Sequence, residues 1–221
     1  MRFLITAGGT REYIDPVRFI SNASSGRMGY ALARAALKAG HEVTLVTAPT
    51  ALKPPPGAAV INVVSAAEMF EAVKAHFPQC QCLIMAAAVA DYTPVQPSRT
   101  KIKKDCNPRP TLKLKATRDI LKWAGRHKNA APNLPLGSSR IVVGFALEDR
   151  NLRANAEKKL RDKRLDMIVA NAPAAIDAEI STVHIKERGF EWIQVAARSK
   201  TVIARKIISS IERNKRDNPG Q

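Results

Sequence analysis

Two glycines directly behind an apolar run, Gly8-Gly9-Thr10-Arg11 after Phe3-Leu4-Ile5-Thr6, constrain this chain more than any other feature. The run reads as a buried strand, and the glycines give it an exit with bare backbone. A second small-residue group, Ser24-Ser25-Gly26-Arg27-Met28-Gly29, opens an Ala-rich amphipathic stretch from Tyr30 to Lys38 that stops at Gly40. Strand, long loop and helix in that order let backbone N–H groups and a helix N-terminus face an anion. The span is too long for a dinucleotide fingerprint, whose glycines sit in one tight turn. The intervening Asp15-Pro16-Val17-Arg18-Phe19-Ile20-Ser21-Asn22 therefore needs its own explanation.

Strand and helix signals alternate along the chain. Strands are expected at 2–7, 42–47, 59–64, 82–88, 141–146 and 165–170, and helices at 27–39, 65–76, 119–128, 151–164 and 199–213. Ser65-Ala66-Ala67-Glu68 is a capping-box pattern that starts the second helix. Residues 182–186 and 190–195, split by Glu187-Arg188-Gly189, read as a β-hairpin. The pattern implies an α/β fold: a three-layer α/β/α, Rossmann-like arrangement with a mainly parallel sheet and a β-hairpin at one edge. Residues 91–110 hold Pro94, Pro97, Pro108 and Pro110 with Lys101, Lys103 and Lys104, too polar for a core element. They are expected to form a functional, irregular arm, followed by a half-exposed strand at 111–115. One domain is expected over 1–214, with a polar tail at 215–221.

Charge narrows the partners. The 221 residues carry a net charge of +17, of which +3 falls in 1–100 (9 Lys/Arg, 6 Asp/Glu) and +14 in 101–221 (27 against 13). Such a field attracts phosphorylated ligands, and less selectively nucleic acid. No apolar run reaches membrane-spanning length, and the N-terminus lacks a signal-peptide layout. Cys80, Cys82 and Cys106 lack zinc-site spacing and read as free thiols, so a cytoplasmic setting is expected.

Ligands of an open parallel sheet gather at the carboxyl ends of its strands. There the chain delivers Gly8, Gly9 and Thr10, then Ala90 and Asp91, then Phe145 and Glu148. Each has a bland alternative: a tight strand exit for the glycines, a plain helix cap for Ser24 and Ser25, solvated charges for Arg18 and the lysines. Lys159 and Lys163 stand one helical turn apart and share a face. Asp91 is the least bland, since a carboxylate at that place can take a ribose hydroxyl or a magnesium ion.

Taken together, Gly8-Gly9-Thr10-Arg11-Glu12, Ile14-Asp15-Pro16-Val17-Arg18, Ile20-Ser21-Asn22, Ser24-Ser25-Gly26 and Met28-Gly29 resemble the signature of the phosphopantothenoylcysteine synthetase (phosphopantothenate–cysteine ligase) family. The resemblance continues through Ala86 to Tyr92, Lys101-Ile102-Lys103-Lys104, Val143 to Glu148 and Asp166 to Asn171. It implies condensation of 4′-phosphopantothenate with L-cysteine in coenzyme A biosynthesis, through an acyl-nucleotidylate made from CTP, or from ATP in eukaryotic members, with Mg²⁺. It implies catalytic roles for Asn22 and Arg18 in forming and holding that intermediate, with Ala88 lining the site and Lys101 acting later. Asp91, Phe145, Lys159 and Lys163 fall on nucleotide-contacting positions, and Gly8, Gly9, Thr10, Ser24, Ser25 and Gly26 on phosphate contacts. The family is a homodimer whose arm reaches the partner. Its metal ligands are not fixed by the resemblance. Ala116-Thr117-Arg118-Asp119-Ile120 departs from the family's Asn-Pro-Asp-Ile, and Arg27 stands where Lys also occurs. Many members carry a fused decarboxylase domain before this region, so ligation alone is expected of this sequence.

Two other classes compete. A nicotinamide oxidoreductase also uses glycine-rich turns, but the compact fingerprint and a Tyr-x-x-x-Lys pair are both missing. A nucleic-acid-binding protein would use the basic excess alone.

Overall fold

The computed structural model describes residues 1–104, 111–129, 140–176 and 178–217, without the side chains of 215–217. Cys106, Pro108, Pro110 and the tail residues 218–221 lie outside the described residues. Five parallel pairings form the sheet's centre, and most of its strands are followed by a helix that returns over one face. The strands are β1 (Arg2–Ala7), β4 (Glu42–Thr47), β5 (Ala59–Asn62), β6 (Cys82–Met85), β9 (Ile141–Leu147) and β10 (Met167–Asn171). β4 reaches its parallel neighbour β5 through residues 48–58 without a helix. β11 (Ile180–Glu187) and β12 (Ile193–Ser199) complete eight strands in the order β12-β11-β10-β9-β6-β1-β4-β5. The last two run antiparallel and are the edge hairpin.

Burial on both faces explains the near-continuous apolar strands, all four residues of β6 being buried. On one face, α1 (Arg27–Lys38) and α5 (Lys200–Asp217) pack Tyr30, Leu32, Ile203 and Ile207 against Phe3, Ile5 and Val143. On the other, α2 (Ala66–His76), α3 (Ile120–His127) and α4 (Leu152–Asp162) pack Met69, Phe70, Leu121 and Leu160 against Leu4, Leu83 and Ile168. The capping box at Ser65 forms as expected. Its hydroxyl accepts from the Glu68 N–H at 3.2 Å, and Glu68 reaches back to the Val64 N–H at 2.9 Å.

Two short ribbons outside the sheet were not anticipated. β2 (Arg11–Tyr13) pairs with β3 (Phe19–Ser21), and β7 (Tyr92–Pro94) pairs with β8 (Leu114–Ala116), both antiparallel. The arm thus begins as a strand, not as irregular chain, and the strand expected at 111–115 starts three residues later. Strand β6 also stops three residues early. Past Met85 the chain turns to serve β1's exit: the Ala87 N–H donates to Thr6 Oγ1 at 3.1 Å and the Ala88 N–H to the Gly8 carbonyl at 2.9 Å. Backbone groups spent on that crossing cannot continue a ladder.

Candidate active site

The carboxyl ends of β6, β9 and β10 open into a cleft of about 830 Å³. One wall is the start of α1. Gly26 precedes that helix with φ +76°, a left-handed conformation that glycine adopts without strain, and no side chain caps α1. The first turn holds no acid, so the positive end of a twelve-residue helix meets the cleft unopposed. Ser24, Ser25, Gly26, Arg27 and Met28 all line it. The two glycine-bearing turns fit against each other. A Cβ on Gly26 would stand 3.3 Å from the Gly8 nitrogen, and one on Gly9 would stand 2.8 Å from the Asn22 carbonyl oxygen. That close approach excludes a side chain at Gly9, and Gly8 combines φ +81° with a Cβ position 2.8 Å from the Ala48 carbonyl oxygen.

The opposite wall is basic and fixed. Lys159 Nζ donates to the Phe145 carbonyl at 2.8 Å, and Lys163 Nζ pairs with Asp119 Oδ2 at 2.8 Å. Asp119 is itself held, since its Oδ1 accepts from the Lys122 N–H at 2.9 Å as the cap of α3. Burial would raise the Asp119 carboxyl, but Lys163, the Lys122 N–H and Lys159 outweigh it and hold it below the usual carboxylate range. Lys159 is pushed the other way. Burial, and then the neighbouring Lys163, lower its pKa despite Glu148, Asp119 and Asp91. An ammonium ion short of countercharge is a site for an anion. Among the described residues the cleft is lined by five cations (Arg27, Arg118, Lys159, Lys163, Lys200) and two carboxylates (Asp91, Asp119).

Nine of the expected site residues come together here: Asn22, Ser24, Ser25, Gly26, Ala88, Asp91, Phe145, Lys159 and Lys163. Asn22 Nδ2 donates to the Val89 carbonyl at 3.1 Å, which holds its amide over the β6 exit. Five others do not line the cleft. Gly8 and Gly9 shape its floor from behind. Thr10 is buried, with Oγ1 accepting from the Ala90 N–H at 2.9 Å, so it joins the β1 and β6 loops. Arg18 and Lys101 lie together on the ribbons, where Arg18 Nη2 donates to the Ile102 carbonyl at 3.1 Å. Sequence reasoning missed Asn171, Arg118 and Lys200 in the lining. Asn171 carried a legible signal, a polar residue ending an apolar strand at the ligand rim; Lys200, opening a helix after a hairpin, carried none.

The chain is similar to known proteins in sequence and in fold. The family model for the DNA/pantothenate metabolism flavoprotein C-terminal domain matches residues 1–214. The Coenzyme A biosynthesis bifunctional protein CoaBC of Mycobacterium tuberculosis (strain ATCC 25618 / H37Rv) is 46% identical over 176 residues, covering 77% of this chain and 41% of that protein. The chain thus spans less than half the length of that relative. A crystal structure of the C-terminal domain of a Coenzyme A biosynthesis bifunctional protein CoaBC superposes with a TM-score of 0.80 at 39% identity, over 98% of this chain and 96% of that one. The DNA/pantothenate metabolism flavoprotein from Streptococcus pneumoniae superposes with a TM-score of 0.82 at 27% identity, over 97% and 99%.

Proposed function

This chain belongs to the family of DNA/pantothenate metabolism flavoprotein C-terminal domains, and from that premise we propose that it joins 4′-phosphopantothenate to L-cysteine, using CTP. The observation that carries the reading is the single cleft in which Asn22, Ala88, the α1 N-terminus, Phe145, Lys159 and Lys163 meet. A carboxylate is a poor acyl donor because its leaving group would be oxide. Its oxygen therefore attacks the nucleotide's α-phosphorus, the bond to pyrophosphate breaks, and a mixed anhydride of the acid with the nucleoside monophosphate results. The cysteine amine next attacks the acyl carbon, loses a proton, and expels the nucleoside monophosphate.

Negative charge gathers on phosphate oxygens in the first step, and preorganised donors stabilise it without reorganising. The α1 N–H groups and the Lys159–Lys163 pair face that charge, while the Asn22 amide faces the acyl oxygen. Phe145 packs near the base. A magnesium ion accompanying a triphosphate needs only one or two carboxylates. Asp91, on the cleft wall and not committed to a lysine as Asp119 is, fits that donor role. The ion would supply neutralising charge on the phosphates. Among the described residues no group of three or more His, Cys, Asp or Glu gathers as a metal cage. No helix among the described residues is long and apolar enough to cross a membrane.

Arg18 and Lys101 stand outside their own chain's cleft, and the same ribbons expose Tyr13, Val17, Phe19, Tyr92 and Leu114. Both features support a homodimer in which one copy's ribbons complete the other's site. Pyrophosphate release is the deciding measurement, with phosphopantothenate, cysteine and each of the four nucleoside triphosphates. CTP is expected to give the fastest release, with ATP next. No release with any of the four overturns the assignment.

A further inference from the structure

Asp15 sits in the β2–β3 turn and is 1% exposed, yet it carries a charge whose partners are almost all backbone. Its Oδ1 accepts from the Val17 and Arg18 N–H groups, both at 2.8 Å. Its Oδ2 accepts from the Ile102 N–H at 3.2 Å, 87 residues away on the arm. Arg18 completes the figure. Its Nη1 lies 3.5 Å from Asp15 Oδ2, and its Nη2 donates to the carbonyl of the same Ile102. Both polar groups of one arm residue are thus taken, the N–H by Asp15 and the C=O by Arg18. A second crossing lies close by, where the Ser98 N–H donates to the Ile14 carbonyl at 2.8 Å. The residue before Ile102 is Lys101.

We infer that Asp15 is a positioning residue, tethering the arm at Ile102 so that Lys101 and Arg18 are presented as one fixed pair. Its reach is from the main chain of one ribbon turn to the main chain of the other. The inference rests on the ligase reading for what the pair does, but not for the tether itself. A carboxylate suits the task because it accepts on both oxygens. An amide accepts on one, so Asp15→Asn keeps the turn and sets a donor against the Ile102 N–H. Ile102→Pro removes the same hydrogen bond from the other side and leaves the buried acid untouched.

Two readouts on the full chain test this. First, trypsin cleavage after Lys103 or Lys104 should rise by about tenfold or more in both variants, while the melting midpoint moves by less than about 3 °C. Wild-type cleavage rates in both variants overturn the tether. Second, single-turnover assays with CTP, phosphopantothenate and cysteine separate the two steps. Both variants should slow amide formation, where Lys101 acts, by about tenfold or more, and pyrophosphate release, where Arg18 acts, by a smaller factor. Faster cleavage with an unaltered amide step overturns the positioning role. If the wild-type chain releases no pyrophosphate the ligase reading fails, and cleavage alone then upholds or overturns the tether.

Discussion

The cleft gathers nine of the expected functional residues and the ribbons present two, Arg18 and Lys101, and the two regions are built on opposite plans. The cleft is assembled from strand ends and helix starts, so its groups are aimed by the sheet. Lys159 projects from α4, whose Ala156 and Leu160 are buried, and Lys163 caps that helix at its carboxyl end. The ribbons lie off the sheet, expose apolar side chains, and take their shape from side-chain-to-backbone bonds centred on Asp15. A rim site of the first kind can bind a nucleotide within one chain. Groups of the second kind are held in order but have nothing of their own chain to act on. On the proposed ligase reading, nucleotide binding falls to the cleft and completion of the reaction to the ribbons.

The largest test of that division is Asn22→Asp, at the point where the cleft meets the ribbons. It exchanges an amide donor for a carboxylate opposite the Val89 carbonyl and the substrate's own negative charge. Product formation is expected to fall about 10²- to 10³-fold, the loss typical for one preorganised donor. Asn22 is exposed, so stability should shift by no more than about 0.5 kcal/mol. Turnover within threefold of wild type would remove Asn22 from the site. A smaller effect is expected from Tyr13→Ser with Phe19→Ser, whose rings meet edge to face with centroids 5.4 Å apart. Sedimentation velocity should show self-association weakened by roughly tenfold or more, with pyrophosphate release less affected than amide formation. Unchanged association would return Arg18 and Lys101 to a role within one chain.

Legibility in the sequence divides along the same line. The layers, the strand succession and the edge hairpin could be read because period and burial agree there: five buried residues in β1, four of them apolar, four apolar residues in β6 and an apolar stripe along α1. Of the nine cleft residues, Asp91 and Phe145 were legible because ligand sites of parallel sheets follow from topology. Ser24, Ser25 and Gly26 were legible because they open a helix, and Asn22, Ala88, Lys159 and Lys163 through the family resemblance. β2, β3 and β7 were not, being three residues long and stabilised by one another instead of by a repeating pattern. The exact end of β6 also escaped, since Ala86, Ala87 and Ala88 look like more strand until the β1 exit claims their backbone. Thr10 was misplaced for a related reason. Its motif neighbours Gly8 and Gly9 resemble a phosphate loop in sequence, while its own hydroxyl is spent inside the fold on Ala90.

The smallest effect is also the most specific to the cleft. Burial and Lys163 lower the pKa of Lys159, so the unliganded chain disfavours its cation. A bound triphosphate supplies the missing countercharge and raises that pKa towards the ordinary lysine range. Binding therefore takes up a proton at alkaline pH, and affinity falls as pH climbs through the unliganded value, ahead of where an exposed lysine titrates. The unliganded fold behaves in the opposite sense. The cost of holding Lys159 charged is fully present below its folded pKa and is relieved above it, so stability from this group rises through the same window. Calorimetric titration of CTP in two buffers of different ionisation heat should register the uptake. In Lys159→Arg, which stays protonated throughout, the alkaline fall should flatten by a few-fold. An identical decline in both proteins would show that another group titrates, and that Lys159 does not face the phosphates at all.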